Sequence, residues 1–182
     1  MLPVTGLDGP SDAALVAAWQ AGSEQAATDL VRRHASALTR FLSAAGAGPS
    51  EVEDLAQEAF FKAFRGVDGW RKESSFRSWL FSIASNLRKD SYRRGRGRVV
   101  LSIEDHDLPD HRDPASELVA DETAARIQAG LARLPRLQRE VFLLRVQQGM
   151  DYGEIARVLG TTAGAARVHY HHAIKRLKEL VP

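Results

Sequence analysis

An all-α protein of two small helical halves is what this sequence predicts, on three observations. No segment alternates apolar and polar residues with the two-residue period of a strand, whereas apolar residues recur at three- and four-residue spacings through most of the chain. Glycine- and serine-bearing breakers cut that pattern into helix-sized pieces. From about Val99 to Ala120 the period stops, amid prolines, aspartates and histidines. Residues 1–98 and 122–182 therefore read as two domains, and 99–121 as a flexible acidic linker.

Each element has a local reason. Ser11 can cap a helix over Asp12–Ala21, which Gly22 ends. A second helix is expected from about Ser23 to Ala45, before the breaker AGAGPS, and a third from near Ser50 to about Arg65. GVDGWRKESS is a loop by its glycines and polar residues. Ser74 or Ser75 caps a fourth helix reaching about Arg94, with Gly95 and Gly97 to end it. The second half is expected to hold helices at about 122–133, 136–148, 151–159 and 162–180, with Pro135 at the first turn of the second. The last two form a helix-turn-helix. Gly160 can adopt the left-handed conformation that stops the first helix, and Thr161 or Thr162 can cap the next.

Charge is segregated rather than abundant. The net formal charge of the 182 residues is only +2. Yet Arg88, Lys89, Arg93, Arg94, Arg96 and Arg98 crowd one stretch beside a single acid, Asp90. Glu104, Asp105, Asp107, Asp110, Asp113, Glu117, Asp121 and Glu122 crowd the next beside Arg112 alone. That contrast points to a polyanion site next to an acidic connector. The absence of cysteine excludes disulfides and thiolate metal sites. No apolar run approaches the roughly 20 residues of a membrane span, and MLPVTGLDGP lacks the features of a secretory signal. A cytoplasmic protein with no direct membrane insertion is expected.

Three helix faces carry functional expectations. In EVEDLAQEAFFKAFR, Val52, Leu55, Ala56, Ala59, Phe60 and Ala63 share a core-facing side, with Asp54, Gln57, Glu58, Phe61 and Arg65 opposite. Solvation alone explains the carboxylates, but a phenylalanine among them suits an interface anchor for a protein partner. In the fourth helix Phe76, Trp79, Leu80, Ile83 and Leu87 make the buried stripe, and Arg77, Phe81, Ser85, Arg88, Lys89 and Tyr92 the far side. Phe81 and Tyr92, each alone, would read as partly buried core. Interleaved with cations, they read as a surface for single-stranded nucleic acid, where each stacked base contributes about 1–3 kcal/mol. In the last helix Ala163, Ala166, Tyr170, Ala173, Ile174 and Leu177 face inward, with Gly164, Val168, His171, His172, Lys175 and Arg176 outward, the layout of a major-groove reader.

Two stretches carry a resemblance to a known family. DLAQEAFFKAFRGVDGWRKESSFRSWLFSIASNLRKDSYRRGRGR resembles the second conserved region of bacterial extracytoplasmic-function sigma factors, of the sigma-70 family. LPRLQREVFLLRVQQGMDYGEIARVLGTTAGAARVHYHHAIKRLKEL resembles their fourth region, and the two together cover about half the chain in the family's order. The resemblance implies that Asp54, Gln57, Glu58 and Phe61 bind core RNA polymerase. It places capture of the minus-ten element, as single-stranded DNA, at Asp68, Trp70, Arg71, Ser74, Ser75, Phe76, Trp79, Asn86, Arg88, Lys89, Tyr92 and Arg93. The minus-thirty-five element would be read as duplex DNA by Thr161, Thr162, Arg167, Val168, His171, His172 and Lys175. An anti-sigma factor, in that family commonly membrane-bound, is implied as a further partner. GAARVHYHHA departs from the family's GTVKSRLHRA-like run, so the promoter sequence does not carry over. It leaves few long side chains for bidentate guanine contacts.

Rival readings explain less. His169 and His172 could share a face, but no carboxylate or cysteine accompanies them as a metal ligand. Asp54 and Glu58 lie on a polar helix with no nucleophile nearby, so acid catalysis is not expected, and no GxxxxGK[ST] phosphate loop occurs. No catalytic residue, metal or cofactor is expected. A free-standing helix-turn-helix repressor or activator, binding duplex DNA without polymerase, is the alternative; it leaves the Phe61 face without a purpose.

Overall fold

The computed structural model describes residues 9–70, 74–95 and 122–180. Among these the chain forms α1 (Asp12–Gln20), α2 (Glu24–Ala44), α3 (Pro49–Gly66), a 3-10 turn (Val67–Gly69), α4 (Phe76–Gly95), α5 (Glu122–Ala132), α6 (Arg136–Val146), α7 (Tyr152–Leu159) and α8 (Ala163–Leu180). No strand occurs among the described residues. The expected linker, 99–121, lies outside them.

Helix starts follow local chemistry. Ser11 Oγ accepts from the Ala14 amide at 3.2 Å and Ser23 Oγ from the Ala26 amide at 3.3 Å. Ser75, rather than Ser74, caps α4, accepting from the Ser78 amide at 3.1 Å. Asp151 and Glu154 close a reciprocal capping box at α7, with bonds of 2.8 and 3.1 Å. Gly160 ends α7 at φ +66°, where a Cβ would be strained, and Thr162 Oγ1 caps α8 through the Ala165 amide at 3.1 Å. Pro135 sits one residue earlier than expected, at the cap of α6, where its extended ψ of 142° precedes the helix.

In the first half α2, α3 and α4 pack around Leu30, Leu38, Phe41, Leu42, Phe76, Leu80 and Phe81, all fully buried. Phe41 and Phe81 meet at 5.3 Å between ring centres. Each such side chain contributes about 1.5–3 kcal/mol by leaving water. α1 is tied on by Asp12, which accepts from Arg33 at 2.7 Å and pairs with His34 Nε2 at 2.8 Å. Partial burial works to raise the Asp12 carboxyl's pKa, but His34 and Arg33 together outweigh it and hold it below its ordinary 3.8. A lowered carboxylate contributes stability that is full above the unfolded value and is lost as pH falls through the folded one. Asp12→Asn is therefore expected to lower the thermal midpoint near neutrality, with the gap to wild type closing as pH falls below 3.8. Melting curves across that range check it.

α6 is the pivot of the second half. One side, with Val141 and Leu144, is buried where α7 and α8 pack. Its other buried residues include Gln138, Arg139 and Glu140, and α6 also packs against α2 of the first half. Arg139 donates to the carbonyls of Ala45 at 3.2 Å, Ala132 at 3.1 Å and Leu134 at 2.9 Å. Ala45 caps the C-terminus of α2 and Ala132 ends α5, where carbonyls lack helical partners and the helix dipole favours a cation. The two halves thus lie against each other, with α7 running along α4.

Candidate nucleic-acid interface

The outer face of α3 is as the helical period predicts. Asp54, Gln57 and Glu58 are exposed, and Phe61 is 55% exposed while Leu55, Ala56, Ala59, Phe60 and Ala63 are buried behind it. Glu58 reaches Lys62 at 3.8 Å, and the Arg65 guanidinium lies 5.4 Å from the Phe61 ring centre. Phe64, one turn behind Phe60, is instead drawn inward against Trp19 at 5.3 Å. Phe61 is thus a large ring that the fold itself leaves in water.

α4 corrects the sequence expectation. Phe81 is fully buried against Phe41, not displayed, and Phe76 is fully buried as well. Ser85 and Arg88 are buried against Glu140 of α6. The cause is that α4 is covered on two sides, by its own domain and by α6 and α7. What remains open is a different stripe: Ser75, Asn86 and Arg93 are exposed, with Trp79 and Lys89 half-buried beside them. At 100° per residue these positions fall within one sector, away from Arg88. Tyr92 is half-buried and Ser74 likewise, and Arg71 lies outside the described residues.

At the head of that stripe stands an aromatic cluster. Trp70 stacks on Trp79 at 6.4 Å and meets Phe76 edge-on at 5.9 Å. The Trp70 indole N–H donates to the Ser74 carbonyl at 3.0 Å. Asp68 is fixed to α1 by Gln20 at 2.9 Å. Phe76 is the buried floor, and the partly open rings are Trp70 and Trp79.

On α8, Thr162, Arg167, Val168, His171, His172 and Lys175 are exposed and Thr161 half-buried. Ala163, expected inward, is exposed at the first position of the helix. Tyr152 was not foreseen. The Arg167 guanidinium lies 5.2 Å from its ring centre and that of Arg145 5.1 Å. An aromatic at the first position of a helix-turn-helix, fifteen places before a basic residue of the reading helix, was the available signal. Among the described residues no group of three histidines, carboxylates or cysteines converges as a metal site would require, and no helix is long and apolar enough to cross a membrane.

Comparison with known proteins decides the family. The Sigma-70 region 2 model matches residues 30–98, and the Sigma-70 region 4 model residues 124–177. RNA polymerase sigma factor NccH of Alcaligenes xylosoxydans xylosoxydans is 33% identical over 175 residues, covering 93% of this chain and 94% of its own. The chain belongs to the ECF RNA polymerase sigma factors. The ECF sigma factor SigE of Mycolicibacterium smegmatis is also 33% identical, over 94% of this chain; the chain spans 65% of that longer protein. A solved structure of CnrH in complex with the cytosolic domain of CnrY superposes with a TM-score of 0.71 at 28% identity, over 94% of this chain and 97% of the other. The sigma factor RpoE in complex with the anti-sigma factor NepR, from Bartonella quintana, gives 0.65 at 25% identity, over 84% and 94%. In this sigma factor the region 2 match takes in the α3 face, the aromatic cluster and the open stripe of α4, and the region 4 match the helix-turn-helix.

Proposed function

We propose a division of labour for this sigma factor among three surfaces. Asp54, Gln57, Glu58 and Phe61 dock on core RNA polymerase. Trp70, Trp79, Asn86, Lys89 and Arg93 take up the unpaired minus-ten strand, the rings for stacking and the cations for phosphate. Arg167, Val168, His171, His172 and Lys175 read the minus-thirty-five duplex. Residues 1–98 and 122–182 act as the two modules, in the cytoplasm, and the chain performs no chemistry of its own. An anti-sigma factor is a partner by analogy with the neighbours bound to CnrY and NepR.

The observation that carries this reading is the pairing, on one chain, of the exposed Phe61 with a helix-turn-helix. A duplex-binding repressor needs the second and has no use for the first. Strand capture offsets part of an unpairing cost of a few kcal/mol, so its loss harms melting more than first binding. With core polymerase, Trp70→Ala and Asn86→Ala are expected to leave closed complexes nearly intact while suppressing open ones. Permanganate reactivity of unpaired thymines, on a promoter selected by multi-round transcription from a genomic library, measures this. Wild-type reactivity at matched occupancy would remove these residues from the strand site.

Tyr152 supports duplex reading by holding Arg167 through its ring face, an interaction of about 0.5–1 kcal/mol at an exposed site. Arg167→Ala is expected to reduce minus-thirty-five discrimination, Tyr152→Leu to reproduce part of that loss, and Tyr152→Phe to preserve it. Lys175→Ala should weaken binding on every sequence and lower the salt slope by about 1. Competition binding on matched and mismatched duplexes separates these effects.

A further inference from the structure

The reading helix carries, at the centre of its outward face, one side chain with no polar atom. Val168 is 53% exposed on α8, a large apolar residue that the fold leaves in water. At 100° per residue Gly164, His171, His172 and Lys175 lie within about 60° of it, and all four are exposed. Arg167 and Arg176, also exposed, border that sector. The cations commit this face to a polyanion, whose phosphates they meet along the groove walls, and the valine between them then faces base edges.

Valine can do only one thing there. It neither donates nor accepts a hydrogen bond, and in a helix its branched side chain holds essentially one rotamer. Of the groups that base pairs present in the major groove, the thymine C5-methyl alone is apolar; the rest are donors or acceptors. Against that methyl, Val168 removes apolar surface from water on both partners. Against the polar edges of guanine, cytosine or adenine it strips water and returns no hydrogen bond, which costs affinity. The same side chain thus favours one base and disfavours the others.

Gly164, one turn earlier on the same side, is a second and separate observation. Its φ is not left-handed, unlike that of Gly160, and a Cβ at this position would have only Thr162 Oγ1 near it, at an ordinary 3.9 Å. Neither backbone conformation nor packing within the protein calls for glycine, which destabilises a helix relative to alanine. A ligand that comes close to the backbone does call for it. Close approach is also what a side chain as short as valine needs to reach base edges in a groove about 8.5 Å deep.

We propose, on the duplex reading above, that Val168 is a specificity-determining residue that packs on the C5-methyl of a thymine in the minus-thirty-five element, at a distance set by the bare backbone of Gly164. Holoenzyme reconstituted with core polymerase tests this on the promoter selected by multi-round transcription. Each thymine of the minus-thirty-five element is replaced in turn by uracil, which lacks only the methyl. At one position wild type is expected to lose about fourfold in affinity, the contribution of one buried methyl group. Val168→Ala should bind the thymine and uracil duplexes equally there. With cytosine put in that place, 5-methylation should tighten wild type by a similar factor and leave Val168→Ala unchanged. Truncating the exposed Val168 leaves no cavity, so the thermal midpoint stays at the wild-type value. Gly164→Ala should keep or raise the midpoint while weakening both duplexes severalfold. Equal affinity of wild type for thymine and uracil at every position, or a uracil defect as large in Val168→Ala as in wild type, overturns the methyl contact. Unchanged affinity in Gly164→Ala overturns the close approach. Failure of wild-type holoenzyme to prefer the selected element to a scrambled one overturns the duplex reading instead.

Discussion

Phe61→Ala and Glu58→Arg each weaken association with core RNA polymerase by at least about 2 kcal/mol, roughly thirtyfold in affinity, while circular dichroism stays at the wild-type level. The expectation follows from where the ring sits. Phe61 is 55% exposed on a helix whose opposite face fills the core, so removing it creates no cavity. A partner that buries it gains the exposed part of the ring and loses that contact on truncation. Glu58→Arg acts differently, placing a cation where the partner meets Asp54 and Gln57, and its effect should diminish in high salt. Fluorescence titration of labelled variants with core polymerase measures both. Unchanged affinity in both variants would remove α3 from the interface.

Phe81→Ala makes the same chemical change and should do the opposite, unfolding the protein at lower denaturant while leaving no binding-specific signature. Phe81 is fully buried, packed on Phe41 at 5.3 Å with Arg77 at 5.8 Å from its ring centre. Truncating a buried phenylalanine costs about 3–5 kcal/mol, a transfer loss plus a cavity. Total stabilities are only about 5–15 kcal/mol, so this is a large fraction. Guanidinium melts of Phe81→Ala and Phe61→Ala, run in parallel, separate the two roles. A loss below about 1 kcal/mol for Phe81→Ala would mean that the ring is displayed, as the helical period alone suggested.

The contrast between these two phenylalanines shows where sequence reading succeeded. On α3 the period placed Phe61 outside and Phe60 inside, and both are so, because α3 has one packed side and water on the other. The caps at Ser11, Ser23, Asp151 and Gly160 were legible for a similar reason: each depends on atoms within a few residues. The family was legible because two separate motifs stood in order along the chain.

On α4 the same arithmetic grouped Phe81, Ser85 and Arg88 correctly on a shared side but assigned that side to nucleic acid. A helical period determines which residues share a face; it does not say what covers the face. Here the cover comes partly from Glu140, 52 residues further on, and a buried guanidinium looks identical in sequence to one awaiting a phosphate. By itself, then, the sequence determined the all-α class, the helix ends, the α3 face and the helix-turn-helix, all set by interactions within one helix or turn. Only the tertiary structure decided which side of α4 stays open, that Tyr152 holds Arg167, and that Arg88 answers a carboxylate of the other half. Those depend on contacts between distant residues, whose partners no local pattern encodes.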